Sequence, residues 1–535
     1  MKDKLSVAFL WHMHQPLYKD LITGRYHLPW VRLHATHSYL DMIQVLDAFP
    51  RVKCTFNITP SLIYQLLDIS ENETIDDTYL NLSIKDSSML TEDEKLFILK
   101  NFFSIHPFGV SGLPRYQDLF KRRGEKVSND PLTGKISKFS ESDLRDIQVL
   151  FNLAWCGFTL REKDPLVGKL IKKGEGYTEE EKRELLKRQK EVVSSILPAY
   201  KKMQDEGKIE ISTTPFYHPI LPLLLNDGFN YNEDAAWHVK KAIDLYKKVF
   251  GRKPAGMWPA EGSVSRSAAD LMAKRGIKWI ASDEGVLMES FKGSSGTREN
   301  LIFRPFNVGN WPDNISIVFR DPGLSNAISF EYANVPGAKA SHDFFRNITA
   351  IQRWLGKESY KHIVSVILDG ENPWLYYKDG GKGFLTGVYG RLESSPNIEA
   401  VTINGFLKKN RERKQIKKLA SGSWINHNFR KWIGSPQKDK AWESLGKVRR
   451  DLLDSGKLPE DAMEELYIAE SSDWFWWYDE FGTELNFVFD DLFRMHLKNA
   501  YRLSGRKIPG YLDEPIHGTG VDLPGHAPGE MARAN

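Results

Sequence analysis

Leu5-Ser6-Val7-Ala8-Phe9-Leu10-Trp11, running straight into His12-Met13-His14-Gln15-Pro16, decides the fold. A run that is apolar almost throughout, and not alternating, suits a strand buried on both faces of a parallel sheet. Six further runs follow, at Lys53–Ile58, Ile209–Thr213, Ala255–Trp258, Lys278–Ser282, Ile315–Arg320 and His362–Leu368. Helical patterns lie between them. Examples are Ala268–Arg275, with Ser267 as N-cap and Gly276 as C-terminal stop, and Ala350–Glu358. Alternating strands and helices predict an α/β fold with a parallel sheet, most economically a barrel.

The spacing is uneven. About 150 residues separate the second run from the third, far more than one crossover needs. The gap carries Thr91-Glu92-Asp93-Glu94 and Thr178-Glu179-Glu180-Glu181, both of capping-box form, and the amphipathic stretch Arg183–Gln204. Residues 70–205 are therefore expected to be a helical insertion within a barrel spanning 1–410. After Val401-Thr402-Ile403-Asn404 the strand signals stop, and 411–510 is expected to be a C-terminal helical domain, with Ala441–Asp454 and Asn486–Arg502 as helices. The basic run Arg411–Lys418 reads as a solvated helix face. Residues 511–535, rich in Gly and Pro, read as a flexible tail.

Composition excludes several classes. A net charge of +4 over 535 residues leaves no basic footprint for nucleic acid. No apolar run approaches the ~20 residues of a membrane-spanning helix. Two cysteines, Cys54 and Cys156, make neither a disulfide framework nor a thiolate metal cluster. The first residues do not form a signal peptide, which gives the expectation of a cytoplasmic protein. Tryptophan is the unusual component: six of 15 (Trp424, Trp432, Trp442, Trp474, Trp476 and Trp477) crowd into the C-terminal third.

In α/β barrels the working groups sit where strands end, at the C-terminal rim. His12, His14 and Gln15 follow the first run, Thr214–His218 the third and Glu261 the fourth. Asp283 and Glu284 follow the fifth, Asp321 the sixth and Asp369-Gly370-Glu371-Asn372-Pro373-Trp374 the seventh. One acid after a strand is ordinarily a helix cap, and Asp283 and Glu284 are read that way; recurrence at one rim points to a site. Two chemistries fit. His12 and His14 offer metal ligands as in barrel metallohydrolases, with His218 as a third and acids to supplement them; His362 lies at the wrong end of its run. Alternatively, Glu261 and Asp369 form the carboxylate pair of retaining glycoside hydrolysis, which must stand about 5–5.5 Å apart. Histidines and Gln15 would then bond sugar hydroxyls, and tryptophans would stack on pyranose rings.

Five ordered stretches resemble the motifs of glycoside hydrolase family 57. They are His12–Pro16, Gly207-Lys208-Ile209-Glu210 continuing to His218, Met257–Glu261, Leu368–Trp374 and Ala469–Tyr478. The resemblance implies an incomplete (β/α)7 barrel with a helical C-terminal domain that completes the cleft, an α-glucan substrate, and no cofactor or metal. It implies Glu261 as nucleophile and Asp369 as general acid/base, with retention of configuration. His12, His14, Gln15, Glu210 and His218 would line the −1 subsite, and Asp473 and Trp474 would reach in from the helical domain. Trp258 and Trp374 are candidates for stacking or walls. Phe319–Ser325 also resembles the family's wording and brings Asp321 to the site. Trp424, Trp432 and Trp442 are expected to hold the helical domain together, and Trp476 and Trp477 to be core. Ser421–Asn426 and Trp432-Ile433-Gly434 look like the α-amylase and amylopullulanase branch; 4-α-glucanotransferases share the same residues.

Overall fold

Every one of the seven runs forms a strand in the computed structural model, which describes residues 4–124, 132–225, 228–293, 296–310, 313–454, 456–479 and 484–516. In chain order the strands are β1 (Leu5–Met13), β2 (Cys54–Ile58), β3 (Ile209–Ser212), β4 (Gly256–Met257) and β5 (Trp279–Asp283), then β6 (Phe306–Val308), β7 (Ile315–Arg320), β8 (Ile363–Asp369), β9 (Ile398–Ala400) and β10 (Lys414–Gln415). β8, β1, β2 and β3 pair in parallel, as do β4, β5 and β7. Only one residue pair joins β7 to β8 (Arg320 with Ser365), and one isolated bridge joins β3 to β4 (Thr213 with Met257). These two thin joints leave an incomplete barrel rather than a continuously bonded one. β6 runs antiparallel on β7, β10 pairs with β6, and β9 pairs with the start of β1. These three strands are two or three residues long, too short to carry a period.

Side chains two apart share a face of a strand, so the inner surface can be read from the sequence. On β1 it is Ser6, Ala8, Leu10 and His12; on β8 it is Ile363, Ser365, Ile367 and Asp369. Ala8, Leu10, Ile363 and Ile367 join Trp258, Trp279 and Val318 in a core distinct from the one formed by the outer faces and helices. The helix Ile403–Lys409 plugs the lower end of the barrel with Ile403, Phe406 and Leu407. Gly256 lies against the Trp279 indole, where a Cβ would come within 1.9 Å of Cε2.

Between β2 and β3 the chain is helical, and both expected capping boxes form, at Thr91/Glu94 and Thr178/Glu181. The second starts the 27-residue helix Glu179–Asp205. The two short helical patterns are longer or shifted: Arg266–Lys274 is capped by Ser265, and Gly337–Leu355 precedes β8. After β10 come Pro436–Leu453, Glu460–Ala469, Ser472–Trp476 and Glu484–Leu503. The expected solvated helix at Arg411–Lys418 is absent. Lys414 and Gln415 pair with Phe306 and Asn307, and Ile416 is buried, because the segment completes the β6 edge. Of the expected tail, Leu512 and Ile516 are buried and Arg494 Nη1 donates to Leu512 O at 3.2 Å; 517–535 lies outside the described residues. No helix among the described residues is long and apolar enough to cross a membrane.

Candidate active site

The inner faces of β1 and β8 end on adjacent residues, His12 and Asp369, which are register partners. Above them opens a cleft of about 150 Å³. His12, His14, Gln15, His218, Glu261, Asp369 and Asp473 all line it, so seven predicted site residues converge from five chain segments.

Glu261 and His218 both have left-handed backbones, at φ 58° and 61°. For a residue with a Cβ this costs on the order of 1–2 kcal/mol, offset by the pairing that fixes each loop. At His218, Ser472 N donates to the carbonyl oxygen at 3.0 Å and Pro219 bridges to Ser471, so the last helices are tied to the rim by backbone. At Glu261, the segment around Gly422 pairs with Val264, and Trp424 N donates to Glu261 O at 3.0 Å. Gly262, at φ 60°, leaves room for Trp258; a Cβ there would lie 2.8 Å from the indole.

This docking delivers two hydrogen-bond donors to one carboxylate. Trp424 Nε1 donates to Glu261 Oε2 at 2.9 Å, and Ser472 Oγ donates to Oε1 at 3.0 Å. His218 Nδ1 lies 2.9 Å from the same hydroxyl and supplies the hydrogen it accepts. His218 Nε2, with no partner among the described residues, then presents a lone pair. Asp369 has a weaker partner, Asn372 Nδ2 at 3.3 Å. Burial raises the pKa of both carboxyls; for Glu261, the neighbouring charge of Asp473 adds to it and the result is about 7.

The three histidines differ in charge. His12 Nδ1 donates to Asn57 Oδ1 at 2.6 Å, and burial together with His14 pushes its pKa down to about 3. It is neutral, with Nε2 as an acceptor. Burial and the other two imidazoles likewise drive His218 far down. Burial also opposes charge on His14, but Asp473, at 2.8 Å from Nε2, with Glu261 and Asp369, raises it above its ordinary value. Their ring nitrogens lie within 4.8 Å of one another. The rings are nevertheless stacked, with His14 and His218 centroids 3.9 Å apart and planes 18° from parallel. A metal must lie near the plane of each imidazole that ligates it, and near-parallel stacked planes share no such point. The arrangement suits hydroxyl contacts better than a metal.

Gln15 lines the cleft, but its amide is engaged by Glu371 and Tyr18. Glu371 accepts from His14 N at 2.9 Å and from Gln15, and burial beside Asp369 pushes its pKa well up. It joins the loops after β1 and β8.

Five predicted residues lie elsewhere. Glu210 sits near the start of β3, at the lower end of the barrel, accepting from Trp279 Nε1 at 2.8 Å and Asn404 N at 2.9 Å. Trp374 is core against Trp11 and Tyr377, with Nε1 on Gly370 O. Trp474 is 1% exposed and bonded to Ile468 O. Trp258 lies beneath the cleft, its ring 6.1 Å from His12 and 5.3 Å from Trp424. Asp321 caps Pro322–Asn326 through Leu324 N and pairs with Arg298. Asp283 and Glu284 are structural as expected, paired with Arg320 and Arg298. The tryptophan expectations divide: Trp432 and Trp442 are buried as expected and Trp477 is core although it also borders the cleft, whereas Trp424 and Trp476, half-buried, line the cleft. In the short helix Ser472–Trp476, side chains two apart point to different sides of the axis, so Trp474 is core while Trp476 faces the cleft. Trp424 and Ser472 lie within the stretches Ser421–Asn426 and Ala469–Tyr478, but nothing local marks either as a donor to Glu261.

Comparison with known proteins agrees with this architecture. A 1,4-alpha-glucan branching enzyme of Thermococcus kodakarensis is 22% identical over 392 residues, covering 58% of this chain and 56% of that protein; the chain thus spans little more than half the length of that relative. The crystal structure of a GH57-type branching enzyme from Pyrococcus horikoshii superposes with a TM-score of 0.61 at 18% identity, covering 93% of this chain and 88% of that one. The alpha-amylase AmyC from Thermotoga maritima does so with 0.58 at 15% identity, covering 95% of each. The family model for Glycosyl hydrolase family 57 matches residues 8–418, and the chain belongs to that family.

Proposed function

We propose that this protein cleaves α-1,4 glucosidic bonds of α-glucans with retention, through a covalent glucosyl-enzyme on Glu261. The observation that carries the reading is the pair of fixed donors, Trp424 Nε1 and Ser472 Oγ, on a carboxyl that shares one cleft with Asp369. Two donors favour the charged form, so Glu261 is the group that ionises to attack. In the first step a Glu261 oxygen bonds to the anomeric carbon. The C1–O bond breaks towards the leaving oxygen, which takes the Asp369 proton. In the second step ionised Asp369 removes a proton from water, whose oxygen bonds to C1 and releases the Glu261 carboxylate. His12 and His218 offer acceptors to sugar hydroxyls, while both ring nitrogens of His14 are engaged, Nδ1 by Thr59 and Nε2 by Asp473. Trp424 and Trp476, half-buried, with Trp477 stacked on Phe489 at the same cleft, form an aromatic wall whose open rings suit pyranose faces. The two buried free thiols, Cys54 and Cys156, fit a reducing compartment, and we place the protein in the cytoplasm.

A second reading, 4-α-glucanotransfer, uses the same steps with a sugar hydroxyl in place of water; the aromatic wall favours it by holding an acceptor and excluding solvent. Incubation with maltopentaose separates the two, since transfer yields longer chains without a rise in reducing ends. The primary test is trapping with a fluorinated α-glucosyl fluoride. A glucosyl adduct on the peptide containing Glu261 is expected in the wild type and not in Glu261→Gln. An adduct elsewhere, or product of inverted configuration by NMR, overturns the assignment.

A further inference from the structure

A second cavity, of about 600 Å³, lies at the opposite end of the barrel, where β1, β3 and β9 begin. Its lining is strongly basic, with Arg51, Lys53, Arg252, Lys253, Lys408 and Lys409 against the carboxylates Glu210 and Glu399. Three of the cations are neutralised, Arg51 by Glu393, Arg252 by Asp205 and Lys409 by Glu399. Lys53, Lys253 and Lys408 are exposed and make no ion pair among the described residues. They come from three segments, before β2, before β4 and from the plug helix, so the tertiary fold alone assembles them.

Deeper in the wall, Gln204 is buried, and its carbonyl oxygen accepts from Ile211 N at 3.0 Å and Tyr246 OH at 2.8 Å. Its amide nitrogen, Nε2, is buried with no partner among the described residues. A buried donor left unpaired costs about 1–3 kcal/mol, a cost that a ligand oxygen would remove. The lining rings, Tyr246 and Phe406, are each 1% exposed, so neither offers an open face to a nucleobase.

We propose that this cavity binds a phosphorylated sugar, its phosphate held by Lys53, Lys253 and Lys408 and a sugar oxygen accepting from Gln204 Nε2. Three ammonium groups match a phosphate dianion as point charges, and the amide reads the polyol end. Calorimetric titration of the full chain with glucose 6-phosphate, glucose, inorganic phosphate and AMP tests the assignment. Glucose 6-phosphate is expected to saturate one site, roughly tenfold or more tighter than the other three, since each tenfold needs only about 1.4 kcal/mol. The double variant Lys53→Glu, Lys408→Glu, whose positions are exposed, is expected to keep its melting temperature and to lose that binding at least roughly tenfold. Absence of saturable binding overturns the proposal. So does equal affinity for phosphate alone or AMP, or binding untouched by the charge reversals; the last result would place the ligand in the catalytic cleft.

Discussion

Replacing Trp424 by Phe removes one N–H from Glu261, the proposed nucleophile, and little else. The phenyl ring keeps an aromatic face towards Trp258 and the Arg320 guanidinium, which lies 5.6 Å from the Trp424 ring, and the backbone bond from Trp424 N to Glu261 O is unaffected. The lost bond, 2.9 Å long and to a carboxylate, is of the kind worth about 1.5–3 kcal/mol. At about 1.36 kcal/mol per pH unit, the Glu261 titration should move up by roughly one to two pH units from its value near 7. The sign follows from the mechanism. The active form carries Glu261 ionised, so kcat/KM falls as pH drops through its pKa, and a higher pKa moves this acidic limb upward. Wild type and variant should therefore differ by roughly 10–100-fold at pH 6 and converge well above pH 9, leaving only an orientation effect. The assay is kcat/KM on maltopentaose between about pH 5 and 10 at low substrate, where the profile reports the free enzyme. A variant slowed equally at every pH, or with its limb moved down, would refute the claim that the indole sets the charge of Glu261.

Glu261→Gln should be inactive yet more stable at alkaline pH. Folding lifts this carboxyl from 4.5 to about 7, so ionisation destabilises the wild type progressively as pH rises between these values. The variant's advantage should grow through that window and level off at roughly 3 kcal/mol; denaturant midpoints that track wild type from pH 4 to 9 would contradict it. Gly256→Ala should cost about 1–3 kcal/mol or more by overpacking the Trp279 indole, read as a lowered melting temperature. Glu210→Gln turns an acceptor into a donor facing either Trp279 Nε1 or Asn404 N, and should lower stability by about 1–3 kcal/mol. An unchanged melting temperature would show that Glu210 does not anchor the plug helix. Asp473→Asn removes the nearest carboxylate from His14, so the His14 pKa should fall in an NMR titration; no movement would assign its raised value to Glu261 and Asp369 instead.

The rim was legible because its signal is local. Apolar runs ending in His12, Glu261 and Asp369 mark strand ends, and period-two alternation places His12 and Asp369 inside the barrel without any tertiary knowledge. Glu210 obeys the same rule and shows how it was misread: it is the second residue of its strand, so alternation turns it inward while its position leaves it at the wrong end. β6, β9 and β10, of two or three residues, show no period, and β4, equally short, was legible only through the apolar run Ala255–Trp258 around it.

The tryptophan surplus divides along the same line. Composition and motif order were enough for the incomplete barrel, the family and the candidate carboxylate pair, since each depends on neighbours in sequence. They could not say which ring lines the cleft. Trp424 reaches Glu261 across 163 residues through pairing of the Gly422 segment with Val264, and Ser472 reaches the same carboxyl across 211. The charge state of a buried group depends on such distant donors and on the water they exclude, so the chemistry of Glu261 is a property of the assembled fold.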